Sequence, residues 1–191
     1  MQTMYSTDRV RERLAPDRSL GLIIDVQERL LPVMHESERL LDKLTMLMKG
    51  MAILGVPFCI SEQYPRGLGP TVDRVSDAAP GLTAMEKTEF SCMANEALRS
   101  RLLEDETRTL IVAGIEGHVC VQQTVLDAMR EGISVYVCAD AVSSRNRVDA
   151  EYAFAQMRQH GASIGTVEAV LFELCGISGT EQFKALSKLV K

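Results

Sequence analysis

The chain has 191 residues, 46% hydrophobic and 25% charged, which suits one substantial core and is short for several domains. A net charge of -5, the absence of Trp and the scatter of the basic residues offer no stripe for phosphates, which argues against nucleic acid as a partner. No apolar run approaches the roughly 20 residues that cross a bilayer, and "MQTMYSTDRVRERLAPDRS" holds no signal-peptide core, so the expectation is a cytoplasmic protein without membrane contact.

Residues 1–19 are polar and charged and read as an N-terminal arm, with a single domain over 20–191. The first apolar run, "SLGLIID", ends at Asp25 and reads as a strand. "SERLLDKLTMLMKGMAIL" follows with apolar residues at 40, 44, 47, 48, 51 and 54, one face of a helix, with Ser37 as its expected N-cap. Gly55 suits the end of that helix, and "VPFCIS" opens a second strand.

"SEQYPRGLGPTVDRVSDAAPG" is the longest loop candidate, rich enough in Pro and Gly to wall an active site. The alternation then recurs: "LTAMEK" as a short strand, "ANEALRSRLLE" as a helix, "RTLIVAGI" as a strand, and a helix from about Val119 to Glu131. "ISVYVCAD", a helix near "VDAEYAFAQMRQH", the strand "ASIGT" and two terminal helices around "VEAVLFEL" and "EQFKALSKLV" complete the pattern. Strands alternating with amphipathic helices predict an α/β fold, a three-layer doubly wound sheet of six parallel strands with helices on both faces.

In such a sheet, ligands bind beyond the carboxyl ends of the strands where strand order reverses. With the common order 3-2-1-4-5-6 that point lies between the first and fourth strands. Asp25 ends the first, Cys120 follows the fourth, and Lys87 ends the third. A carboxylate, a thiol and an ammonium at strand ends suggest nucleophilic catalysis. A cysteine at a helix N-terminus beside a cation gains thiolate character. Asp25 can take its proton and hand it on, Lys87 tunes both, and backbone N–H groups of "GIEGHVC" can receive an oxyanion.

"LIIDVQ", "EKTEFS" and "GIEGHVCVQQTVLDAM" resemble the three motifs of the isochorismatase-like cysteine hydrolases, from about Leu20 to the C-terminus. "SEQYPRGLGPTV", "GIEGHVCV" and "ADAVSSR" are most similar to the isochorismatase domain-containing subgroup. The resemblance implies an Asp-Lys-Cys triad of Asp25, Lys87 and Cys120, a non-proline cis peptide at Ile115–Glu116, and an oxyanion hole from the N–H groups of Glu116 and Cys120. It also implies a homo-oligomer. Nicotinamidases of that superfamily hold a metal with an Asp-x-His pair and a further His, whereas "SEQYPRGLG" contains no histidine. His35, His118 and His160 are scattered, so no metal and no other cofactor is expected. Isochorismatases proper lack the cysteine and cleave a vinyl ether by acid catalysis, a reaction that Cys120 argues against.

Gln63, Tyr64 and Arg66 fall where the family's substrate pocket has its wall. Arg66 can pair with an anionic substrate, or "YPRGLGP" is a turn or subunit contact. His118 lines the pocket or caps the helix entry. Asp140, Ser143, Ser144 and Arg145 are expected on the triad's rim, shaping the site or capping the next helix. Cys59, Cys92, Cys138 and Cys175 are expected in the core.

The expected activity is a cysteine hydrolase that cleaves the C–N bond of a small amide or carbamoyl-type molecule through a thioester. The alternative is a binding or scaffolding module whose thiol is vestigial or redox-sensing. A dinucleotide-binding dehydrogenase fits less well, because the first turn reads "IDVQERLLP" and has no G-x-G-x-x-G.

Overall fold

The structure is a computed structural model and describes residues 12–104 and 109–191. Six parallel strands, β1 (Ser19–Ile24), β2 (Phe58–Gln63), β3 (Met85–Lys87), β4 (Thr109–Ile115), β5 (Ser134–Ser143) and β6 (Ser163–Gly165), pair in the order β3-β2-β1-β4-β5-β6. That is the expected doubly wound topology. The α-helices are α1 (Ser37–Leu54), α2 (Pro65–Leu68), α3 (Asp73–Ser76), α4 (Glu96–Leu102), α5 (Gln122–Arg130), α6 (Arg147–Gln159), α7 (Val167–Cys175) and α8 (Glu181–Leu189).

β1 and β4 are buried at every position, which is why they read as unbroken apolar runs instead of alternating ones. Their side chains still divide between the faces by the period of two. Leu20, Leu22, Ile24 and Val112 join the core under α4, α5 and α6, with Leu98, Val125 and Met157. Ile23, Ile111 and Ala113 join the core under α1, α7 and α8, with Leu44, Leu171 and Leu186.

Local differences from the sequence expectations have physical reasons. Ser37 is the first residue of α1 and not its N-cap; Glu36 holds that place in a left-handed conformation, φ 51°, with no side-chain cap bond. Gly55 ends α1 as expected, at φ 72° with its N–H on the carbonyls of Met51 and Ala52. β3 is three residues long because β2 offers it partners only from Ser61 to Gln63. The long loop contains α2 and α3, each four residues and too short to show a period.

β5 runs on to Ser143, past a register shift against β4 between Val112 and Gly114. Asp140 therefore lies within the strand and not on the triad's rim, and its Oδ1 accepts from the N–H of Val167 at the start of α7, 2.8 Å away. Cys175 is half-buried, contrary to the expected core position, while Cys59, Cys92 and Cys138 are buried. Of the expected arm, 1–11 lie outside the described residues. Leu14 is buried and its N–H donates to Glu173 Oε1 at 3.0 Å, and Ser19 opens β1.

Candidate active site

The carboxyl ends of β1, β3 and β4 meet at Asp25. The chain leaves β1 there with φ 53°, a left-handed conformation that Asp tolerates better than most residues, and the Asp25 N–H donates to the Ser61 carbonyl at 3.1 Å. Its side chain is fully buried. Lys87 Nζ donates to Oδ2 at 2.7 Å, Ser61 Oγ donates to Oδ1 at 2.8 Å, and the carboxylate also acts electrostatically on the Cys120 thiol. Lys87, itself fully buried at its side chain, spends its other donors on Gln63 Oε1 at 2.7 Å and the Glu89 carbonyl at 3.2 Å. Both charges are thus paired and solvated by protein, the condition under which burial of an ion pair is tolerable.

Cys120 arrives from β4. The Ile115–Glu116 peptide is cis, as the resemblance implies. One turn of π-helix, Gly117–Val121, then leads into α5, and the Glu116 carbonyl accepts from Val119 at 3.0 Å and Val121 at 3.2 Å. Single π turns of this kind recur at functional sites. Gly114, at φ 118°, lets β4 close against β1: a Cβ there would overlap the Ile24 backbone. Cys120, 6% exposed, lies in the core under α5 and reaches Asp25 from that side.

Electrostatics place the proton on the thiol in the resting state. Burial and then the Asp25 carboxylate push the Cys120 thiol well up, and Lys87 only partly offsets them. This differs from the thiolate expected from a helix N-terminus and a cation, because burial and the Asp25 carboxylate together outweigh the pull of Lys87. Burial works against the Lys87 ammonium, but Asp25, with Cys120 and Cys92 adding to it, outweighs burial and pushes the amine up from its ordinary value. The arrangement is a thiol beside a buried carboxylate, with a fixed cation on one oxygen of that carboxylate and a serine hydroxyl on the other.

The expected pocket residues divide. Gln63 is part of the triad's support: its Oε1 holds Lys87, its Nε2 donates to the Thr88 carbonyl at 2.8 Å, and its N–H donates to Gln27 Oε1 at 2.8 Å. Tyr64 and the exposed Arg66 line a cleft of about 360 Å³ together with Glu86, Lys87 and Asn95. His118 sits inside the π turn, with Nδ1 3.0 Å from Ser144 Oγ, so it does not cap the helix. A second cleft, about 340 Å³, lies between the starts of α1 and α6 and reaches Ser143 and Ser144. Neither cleft has Cys120 or Asp25 in its wall, and Lys87 lines the first.

Three supporting residues escaped sequence reading. Ser61 looked like one more strand residue, yet its hydroxyl orients Asp25 and accepts from the Cys92 thiol at 3.6 Å. Cys92 is tied to the nucleophile's helix through its N–H, which donates to Thr124 Oγ1 at 2.9 Å. Gln27, fully buried, donates to the carbonyls of Gln63 at 3.0 Å and Gly69 at 2.7 Å, fastening the cleft loop to β2. A polar residue inside or just after an apolar run was the available signal. Among the described residues, no three His, Cys, Asp or Glu side chains gather as a metal site requires.

Residues 19–169 match the isochorismatase domain family. Isochorismatase domain-containing protein 2 of Danio rerio is 34% identical over 178 residues, covering 93% of this chain and 89% of that protein. The structure of the MAR1 ribonuclease from Caenorhabditis elegans superposes with a TM-score of 0.88 at 36% identity, over 94% of this chain and 92% of that one. The YcaC gene product of Escherichia coli, described as an octameric hydrolase of unknown specificity, superposes with a TM-score of 0.88 at 23% identity, over 95% and 92%.

Proposed function

The chain belongs to the isochorismatase family, and from that premise we propose that it is a cysteine hydrolase that cleaves the C–N bond of a small amide or carbamoyl-type substrate through a thioester at Cys120. The observation that carries this reading is the buried Asp25 carboxylate, bonded to Lys87 at 2.7 Å, with the buried Cys120 thiol within its electrostatic reach.

The steps balance on these groups. As the sulfur attacks the acyl carbon, its proton passes to Asp25, and the oxygen gathers charge before the amides of Glu116 and Cys120. The C–N bond breaks as Asp25 returns the proton to the leaving nitrogen. Water then attacks the thioester and gives one proton to Asp25, which passes it to the departing sulfur as the acid is released, restoring the thiol and the carboxylate. Lys87 keeps Asp25 oriented and compensates its charge at each stage. A thiol that is neutral at rest suits this order, because deprotonation is coupled to attack and an idle thiolate is not left exposed to oxidants.

Exposing the protein to a panel of small amides and carbamoyl compounds, followed by intact-mass spectrometry, tests the reading. An acyl adduct at Cys120 that disappears in Cys120→Ala is expected, and Asp25→Asn should slow its formation at least about 100-fold. Adducts formed equally in Asp25→Asn would exclude the triad. The competing reading, a binding module, draws on the protonated resting thiol and predicts no adduct at all. The name of the Caenorhabditis elegans neighbour suggests RNA cleavage, but a net charge of -5 and a triad of one base, one thiol and one buried lysine provide little to hold a phosphate backbone. We further propose, from the octameric state described for the Escherichia coli neighbour, that the chain self-associates.

A further inference from the structure

We propose that Arg145 is a positioning residue for the nucleophile turn, acting through Glu116; this rests on the reading that the turn receives an oxyanion. The end of β5 and the two residues after it, Ser143 to Arg145, form a strap across that turn. Arg145 Nε lies 2.8 Å from Glu116 Oε2, Ser144 Oγ lies 3.0 Å from His118 Nδ1, and Gly117 packs closely between them, where a Cβ would come 3.1 Å from both Ser144 Oγ and Val142 Cγ1. Three successive residues of the turn are therefore held by the strap.

The strap is itself held from behind. Ser143 Oγ donates to the His35 carbonyl at 2.6 Å, and the His35 N–H donates to the Ser144 carbonyl at 2.9 Å. None of these bonds caps α6, whose N-cap Asn146 makes no cap bond and points its amide at Asp149, 3.0 Å away. The capping reading of this segment thus falls, and a brace between the loop after β1 and the nucleophile turn remains.

The charges fit a positioning role better than a stabilising one. Glu116 is only 12% exposed at its side chain, and Arg145 is the cation that the structure sets against it. Arg145 is 58% exposed, so losing the pair should change global stability little. Its effect is local: with the carboxylate unpaired, Glu116 swings toward water and carries with it the amide that faces the developing oxyanion.

The test compares wild type with Arg145→Ala, Arg145→Lys and Glu116→Ala/Arg145→Ala, using p-nitrophenyl acetate as the acyl donor. In Arg145→Ala, kcat should fall on the order of 100-fold with KM within about threefold of wild type. Arg145→Lys, which keeps the charge, should recover part of the loss. The double variant should be no worse than Arg145→Ala, because the two residues act as one unit. Iodoacetamide should label Cys120 at the wild-type rate in all of them, and deuterium uptake should rise over residues 116–121 in Arg145→Ala and stay unchanged elsewhere. An unchanged kcat, unchanged uptake over 116–121, or additive losses in the double variant would each overturn the proposal. If wild type itself forms no acyl adduct at Cys120, it is the hydrolase reading that fails, and deuterium uptake still decides whether Arg145 holds the turn.

Discussion

At the scale of single residues, the decisive group is the Asp25 carboxylate, with Lys87 on one oxygen and Ser61 on the other. An exposed pair such as Arg99–Glu131, about half exposed on each side, is worth about 0–1 kcal/mol. Breaking a buried pair strands a charge, so Lys87→Met should cost about 3–5 kcal/mol of folding stability in urea titration and abolish turnover. Asp25→Asn/Lys87→Met removes both charges and should recover part of that stability with none of the activity. Equal losses in the single and double variants would show that the two side chains do not compensate one another. Asp25, Lys87 and Cys120 were legible as a set in the sequence because each stands at or just past the carboxyl end of a strand and within one of the three motifs. Ser61, Cys92 and Gln27 were not, since what matters about them is a bond to a residue on another strand or loop, and no local pattern encodes it.

At the scale of elements, the site depends on how closely β4 sits against β1. Gly114→Ala would drive a methyl group into the Ile24 backbone at a φ that side chains rarely adopt, so it should destabilise the fold by about 3 kcal/mol and reduce Cys120 labelling in the surviving folded fraction. A thermal midpoint within a degree or two of wild type would mean that the strands part without penalty. Thr124→Val leaves the buried Cys92 N–H without its acceptor and should cost about 1–3 kcal/mol, read from the urea midpoint. The central strands and the long helices were legible because burial imposes their periods. The edges of elements were not: β3 stops where β2 stops pairing, and β5 continues because a register shift lets it, both of which are set by partners and not by propensity.

At the scale of the whole molecule, buried thiols tie stability to pH. Burial, with the Asp25 carboxylate adding to it, pushes Cys92 up to about 11, and burial beside Cys92 pushes Cys59 up to about 12, both from an ordinary 9.0. The folded state thus keeps protons that the unfolded chain releases sooner. Stability is fully present below about pH 9 and is lost as pH rises through 11 to 12. The urea midpoint should hold level from neutral pH to about 9 and then fall, less steeply in Cys92→Ala, which lacks one of the titrating groups. A midpoint in that variant with the wild-type slope would remove Cys92 from the account. The parallel sheet was legible from the alternation of strands and helices, and its order is the common one assumed for such a sheet; Ser143, Ser144 and Arg145 were legible as rim residues, but their bonds to His35, His118 and Glu116 were not, because those partners lie on other loops.

Strand order also sets a schedule. On a ribosome Asp25 and Lys87 emerge well before Cys120, and β1 gains its second neighbour only when β4 slides in beside it. Until that insertion the base has no thiol to act on, and the thiol, once made, has no base. On the proposed mechanism the nascent chain carries the parts of the centre without activity, and the three side chains meet only once β4 is in place.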